Sequence, residues 1–207
     1  MKVLAINGSA RKAGNTAILL HTVGDVLKEA GIDVEIVSFA GQIIEPCRAC
    51  WACSDTGQCV HQEDLFPEIF KKMEKADGIL LGSPVYAANV TANMQAFLER
   101  AAHIADTNPG FLAHKAGAAV VAARRDGALG ALDTMNHFFL THEMYIAGSR
   151  YWNVAYGQLP GDVRYDPEGM ATMKSLGHSL VYLLRSLKGV PVWQRPARIS
   201  VQAYSNP

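Results

Sequence analysis

The chain of 207 residues has no excess of charge of either sign, since Lys plus Arg and Asp plus Glu number 19 each. Such a balance leaves no basic face for nucleic acid and no polybasic stretch for anionic lipid, so neither partner is expected. A long apolar run is also missing. Met1-Lys2 leads straight into a strand-like segment without the apolar core and small-residue cleavage site of a secretion signal, and no stretch is apolar enough to span a bilayer. The expectation is a cytoplasmic protein with no membrane partner. Cysteine is scarce: four residues, all between positions 47 and 59. That clustering would staple a chain of this length poorly, and it points to a reducing compartment and a local role for the thiols. Hydrolase signatures are missing too. The histidines at 21, 61, 103, 114, 137, 142 and 178 form no H-E-x-x-H pair, and His137 and His142 read as helix residues rather than metal ligands.

Hydrophobic residues make up 49% of the chain, enough to bury one sizeable core. Strand-like runs alternate with helical stretches, the mark of a parallel sheet covered on both faces. Strands are predicted near Val3–Ile6, Val34–Phe39, Gly78–Gly82, Ala116–Ala123 and Tyr145–Gly148. Helices are predicted over about Asn15–Ala30, Leu65–Lys75, Thr91–His103, Gly130–His142 and Pro167–Leu187. The pattern matches an α/β, flavodoxin-like, doubly wound five-stranded parallel sheet ordered 2-1-3-4-5, occupying residues 1–188. Residues 189–207, with Pro191, Pro196 and Pro207, read as a non-helical C-terminal extension suited to a subunit interface. In such sheets the ligand sits beyond the carboxyl ends of the strands where the order reverses, so the first, third and fourth strand exits should carry the site.

At the first exit, Asn7-Gly8-Ser9-Ala10-Arg11-Lys12-Ala13-Gly14-Asn15-Thr16 reads as a phosphate cradle. Gly8 and Gly14 allow the turn, while Ser9, Asn15, Thr16 and the free N–H groups of the helix start supply donors. A Walker A loop would need Gly-Lys-Ser/Thr where Ala13-Gly14-Asn15 stands, and G-x-G-x-x-G is absent. Hydroxyl and amide donors with one arginine suit a monophosphate such as flavin mononucleotide (FMN) better than a magnesium triphosphate. The alternative is a polar strand-to-helix turn closed by an ordinary Asn or Thr cap.

The third exit, Gly82-Ser83-Pro84-Val85-Tyr86-Ala87-Ala88-Asn89, offers backbone groups at Pro84–Tyr86, an aromatic face at Tyr86 and an amide at Asn89, which a flat heteroaromatic ring with polar edges requires. The fourth, Ala122-Ala123-Arg124-Arg125-Asp126-Gly127, places two adjacent arginines where they can face a reduced flavin or a nicotinamide nucleotide's phosphate, or sit as a solvated pair. Trp152 and Tyr156 read as core aromatics, or else as walls of the flavin face. The run Cys47-x2-Cys50-x2-Cys53-x5-Cys59, in a loop over 45–62, can wrap one [4Fe-4S] cubane; free or oxidised thiols and zinc remain alternatives at this stage.

Together the Gly8-Ser9-x-Arg11-x3-Asn15-Thr16 loop, the Gly82-Ser83-Pro84-Val85-Tyr86 turn with its following Phe97-Leu98-Glu99-Arg100, and the cysteine run resemble the NADPH-dependent FMN reductase family, particularly its iron-sulfur flavoprotein branch. The resemblance implies FMN held at its phosphate by Ser9, Arg11, Asn15, Thr16 and Ala17, and along its ring by Pro84, Val85, Tyr86 and Asn89. The loop Ala123, Arg124, Arg125 to Gly127 would complete the site, and Cys47, Cys50, Cys53 and Cys59 would be the cluster ligands. It further implies NAD(P)H as co-substrate, a small-molecule electron acceptor such as a quinone, flavin, azo compound or metal ion, and a homodimer or homotetramer. Gln95 and Glu99 depart from the family's Lys-x-Phe-x-Asp-Arg pattern. Two other readings stand beside an oxidoreductase: a one-electron carrier with a ferredoxin-like partner, and a binding module that has lost its cofactor.

Overall fold

Strands β1 (Lys2–Asn7), β2 (Asp33–Ser38), β3 (Gly78–Pro84) and β4 (Ala116–Ala123) run parallel, joined at one edge by β5 (Tyr145–Ile146) and β6 (Val154–Tyr156). This computed structural model describes residues 1–108 and 110–191. The sheet order is β2-β1-β3-β4-β5, as predicted. The strand count differs: among the described residues the sheet has six strands, because two short ones share the fifth position. β5 pairs with Ala116–Gly117 and β6 with Val121–Ala123. Between them the chain leaves the sheet, and Ser149 Oγ, 2.6 Å from both the Tyr151 carbonyl and Asn153 Oδ1, holds the detour. The extension predicted over 189–207 lies outside the described residues from 192 onward.

The described residues form six helices: α1 (Asn15–Glu29), a single turn α2 (Cys53–Thr56), α3 (Phe66–Lys75), α4 (Ala92–Thr107), α5 (Ala128–Thr141) and α6 (Pro167–Leu187). A 3-10 turn at Asp162–Tyr165 precedes α6. Alternate residues of the central strands face opposite cores, as the period of a strand requires. Val3, Ala5, Leu80 and Val120 pack beneath α1 and α6 through Leu19, Leu20, Val23, Leu176 and Leu180. On the other face Leu4, Ile6, Ile79, Leu81 and Val121 meet Ile69, Met73, Phe97, Met135 and Phe139 of α3, α4 and α5. Burial on both faces explains the nearly continuous apolar sequence of β1, β3 and β4. α4 runs four residues beyond its predicted end because Ile104 and Ala105 continue its buried face. No helix among the described residues is long and apolar enough to cross a membrane.

Candidate functional site

The β1 exit is tied to the β3 exit before either can bind anything. Gly8 N donates to the Gly82 carbonyl at 2.7 Å, and a Cβ on Gly8 would lie 3.1 Å from that carbonyl oxygen and from Met94 Cβ, a crowding that glycine avoids. Thr91 Oγ1 donates to the Gly8 carbonyl at 2.8 Å while capping α4 by accepting from Met94 N, and Thr91 N donates to Ser83 Oγ. The loop then reaches α1, whose N-cap is Gly14 with no side-chain cap. The ordinary Asn or Thr cap is therefore not what this loop builds. The first-turn N–H groups of a helix have no intrahelical partners, and here they point at the cleft end with their partial positive charge.

Ser9, Arg11, Asn15 and Thr16 all line a cleft of about 270 Å³, with Pro84, Val85, Tyr86 and Ala122 as its other wall. Thr16 is 1% exposed, yet its Oγ1 has no hydrogen-bond partner. A buried hydroxyl left unpaired costs stability, and such groups call for a partner. An anion at the α1 terminus would supply one, so the cradle fits a phosphate group by its donors. Ala17 lies in the same first turn, buried behind the cleft. Asn15 differs from expectation in its side chain: Nδ2 donates to the carbonyls of Gly157 and Leu159, and Oδ1 accepts from Gly161 N. The amide thus anchors the loop after β6, leaving the backbone N–H as the group Asn15 offers an anion.

At the β3 exit, Tyr86 and Asn89 close a tight turn through Tyr86 N to Asn89 O (2.8 Å) and Asn89 N to Tyr86 O (3.1 Å). Ala87 and Ala88 hold φ of 48° and 62°, a left-handed conformation that alanine adopts only at a cost. Tyr86 is half-exposed on the cleft wall. Asn89 does not line the cleft; its Oδ1 accepts from Val90 N and Thr134 Oγ1. At the β4 exit the two arginines separate. Arg124 lines the cleft, whereas Arg125 projects to solvent near Asp126. Ala123 is buried and accepts Gly157 N at 2.8 Å, and Gly127 forms the N-cap of α5 with φ 84°. Trp152 and Tyr156 are about half exposed rather than core residues, and neither lines the cleft.

Gly157 and Gln158 complete the wall, and sequence reasoning missed them. Their signal is the turn-rich Gly157-Gln158-Leu159-Pro160-Gly161-Asp162, where Asp162 Oδ2 accepts from Gln158 N and Leu159 N.

The cysteines lie apart from this cleft, on the β2–α3 connection. Cys47, Cys50, Cys53 and Cys59 all line one small cavity with Trp51, Arg100 and His103. Left-handed backbone at Ala49 (φ 50°) and Trp51 (φ 60°) turns the chain between successive thiols. Burial pushes the Cys53 thiol above its usual range, and Cys47, Cys50 and Cys59 add to the effect. Trp51 stands edge-on to His103, with ring centroids 5.7 Å apart. Among the described residues no three His, Cys, Asp or Glu side chains converge as a single metal ion needs. Four thiols disposed around a cavity are nonetheless the soft donor set of an iron-sulfur cluster, so the residues fit that group in kind. The departing positions Gln95 and Glu99 pair with each other on the exposed face of α4, while Phe97 and Arg100 point inward.

A doubly wound 2-1-3-4-5 sheet with an uncapped helix terminus and an aromatic turn at its switch point defines a flavodoxin-like domain. The model of the NADPH-dependent FMN reductase family matches residues 1–158, and the chain belongs to that family of flavin-binding oxidoreductases. It is 35% identical over 196 residues to an iron-sulfur flavoprotein of Methanocaldococcus jannaschii, covering 91% of this chain and 100% of that protein. An iron-sulfur flavoprotein of Methanosarcina thermophila is 30% identical over 191 residues, covering 91% and 97%. Among solved structures, RosB with a bound formylated riboflavin-5'-phosphate intermediate superposes with a TM-score of 0.70 at 18% identity, covering 93% of this chain and 82% of that one. An archaeal flavodoxin superposes with a TM-score of 0.58 at 17% identity, covering 89% and 99%. These two likenesses speak to the fold.

Proposed function

We propose that this protein is an FMN-dependent oxidoreductase that passes reducing equivalents from NAD(P)H to a small acceptor such as a quinone, flavin, azo compound or metal ion. The observation that carries the reading is the unpaired, buried Thr16 hydroxyl at the uncapped terminus of α1, inside a cleft that Ser9, Arg11 and Arg124 also line. Ser9, Arg11, Thr16 and the first-turn N–H groups would hold the phosphate, with the dipole of α1 favouring its charge. The strained Tyr86–Asn89 turn presents backbone and an aromatic face to the ring. Arg124 brings a fixed positive charge to the opposite wall, suited to an anionic cofactor or nucleotide. FMN supplies hydride and single-electron chemistry when bound, so the chain needs no acid or base of its own for the transfer. The assembly belonging to this reading is a homodimer or homotetramer in the cytoplasm, checked by light scattering.

The four thiols around one cavity favour a second reading, an iron-sulfur flavoprotein that carries single electrons to or from a ferredoxin-like partner. Cys47, Cys50, Cys53 and Cys59 would hold the [4Fe-4S] cluster in either case. The relatives named iron-sulfur flavoproteins support its presence. One experiment separates the readings: anaerobic absorption spectra of FMN-loaded protein before and after NADPH. Bleaching supports the oxidoreductase, and colour that NADPH leaves unchanged supports the carrier. Failure to take up FMN overturns both.

A further inference from the structure

Arg100 is 2% exposed and is the largest fully buried side chain in the molecule's described part. Its two terminal nitrogens reach four partners. Nη1 donates to the Glu45 carbonyl (3.3 Å) and to Asp64; Nη2 donates to the His61 carbonyl (2.7 Å) and to Cys59 Sγ (3.3 Å). The guanidinium lies over the Phe66 ring, 4.1 Å from its centroid. Asp64 completes a knot, accepting Glu45 N at 2.9 Å and Phe66 N at 3.1 Å. Glu45 precedes the first cysteine and His61 follows the last, so one side chain of α4 clasps both limbs of the cysteine loop.

We infer that Arg100 is a positioning residue for the cysteine loop, one that closes the loop's two limbs and sets a buried positive charge against Cys59. The inference rests on the proposal that this loop holds a cluster. Structure alone would be served by the Asp64 pair; the bond to Cys59 sulfur goes beyond it. The planar fork sends a separate nitrogen to each pair of partners, whereas lysine's three donors all sit on one compact ammonium and reproduce that spread less well. A buried positive charge beside a cluster ligand favours the state carrying the extra electron, so it raises the reduction potential. Asp64, with its side chain 8% exposed against 1% for Arg100, acts in the opposite sense.

The test compares the full-length protein with R100M, R100K and D64N. In the cluster-free proteins, hydrogen exchange over residues 45 and 59–64 is expected to quicken about tenfold in all three, as befits loss of a net hydrogen bond to a charged group. After reconstitution with iron and sulfide, the midpoint potential is expected to fall in R100M and to rise in D64N, with R100K closer to wild type than R100M. Loosening of the loop alone would move R100M and D64N the same way. Potentials shifted in one common direction, or unshifted, overturn the inference, as does wild-type exchange protection in R100K and D64N. A wild-type protein that takes up no iron overturns the cluster proposal by itself, and the exchange comparison then still decides whether Arg100 holds the loop. Should R100M fail to fold, R100K and D64N carry both measurements.

Discussion

Asn15 Oδ1 accepts the backbone N–H of Gly161 at 2.8 Å, a contact across 146 residues of sequence. With its two Nδ2 bonds, to the carbonyls of Gly157 and Leu159, this single amide fixes the loop that forms the cleft's last wall. Asn15→Ala is expected to destabilise the protein by about 1–3 kcal/mol and to weaken FMN binding through the loosened loop. Asn15→Asp should weaken FMN further, because it removes two donors and sets a negative charge beside the phosphate position. Fluorescence quenching of FMN, read with thermal unfolding, checks both. Unchanged affinity in Asn15→Asp would show that no phosphate sits at this helix start.

Thr16→Val separates folding from binding. The hydroxyl is buried and unpaired, so an isosteric methyl should leave stability unchanged or raise it. If the hydroxyl serves a phosphate oxygen, the same change should cost roughly tenfold or more in FMN affinity, as loss of a charge-assisted hydrogen bond does. A stability loss with full FMN affinity would place the hydroxyl in the core's service instead.

Much of the scaffold was legible because its signals are local. Continuous apolar runs along β1, β3 and β4 gave the strands, and the order followed from interleaved helices. At the fifth position Tyr145–Ile146 was legible but the second strand sharing it was not, since Val154–Tyr156 is too short to show a period and the Ala147–Asn153 detour carries no breaker beyond Gly148. In the site, local signals gave residue types at the right exits but not their directions. Asn15 and Asn89 both looked like donors to a ligand; the Asn15 amide instead bonds the loop after β6, and the Asn89 oxygen accepts from Val90 N and Thr134 Oγ1. Which of two adjacent arginines faces the cleft depends on backbone direction at the end of β4, which composition does not encode. Arg100's grip on the cysteine loop joins residues 36 to 55 positions apart, beyond any local pattern.

The arginine pair makes a matched control. Arg124→Gln should weaken binding of FMN or NADPH, with a salt-sensitive loss, because Arg124 lines the cleft. Arg125→Gln should change stability and binding by less than about 0.5 kcal/mol, since its partner Asp126 lies 3.9 Å away and both are largely exposed. Titrations of the two variants at low and high salt check the contrast. Equal losses would mean that the pair acts only through net charge.

Glu35 on edge strand β2 bonds Lys2 and Lys72, and these two contacts hold its carboxyl below the usual carboxylate value of 4.5. A group with a lowered folded-state pKa contributes stability above its unfolded value and loses it as pH falls through the folded one. Glu35→Gln should therefore destabilise the protein slightly at pH 7, by less than about 1 kcal/mol for so exposed a pair. The difference from wild type should shrink below pH 4.5 and vanish in stronger acid. Denaturant midpoints across pH 3–7 check this, and a difference that grows toward acid would refute the assignment.

Gly127 links the two ring-side exits, and its replacement tests whether they move as one. Its φ of 84° lies where alanine is strained, and an added Cβ would stand 2.9 Å from Ala88 Cα, inside the Tyr86–Asn89 turn. Left-handed backbone costs a non-glycine residue about 1–2 kcal/mol, and here the clash falls on backbone that is itself left-handed at Ala88. Gly127→Ala is expected to lose about 2 kcal/mol, a fall of about 4–8 °C in Tm for a chain of this size. Because the displaced turn carries Tyr86, the flavin absorption envelope should change as well, even though Gly127 has no side chain to touch the ring. Thermal melts and flavin spectra of the loaded variant measure the two effects. A normal spectrum beside the expected loss of stability would show that the turn absorbs the displacement without passing it to the cleft.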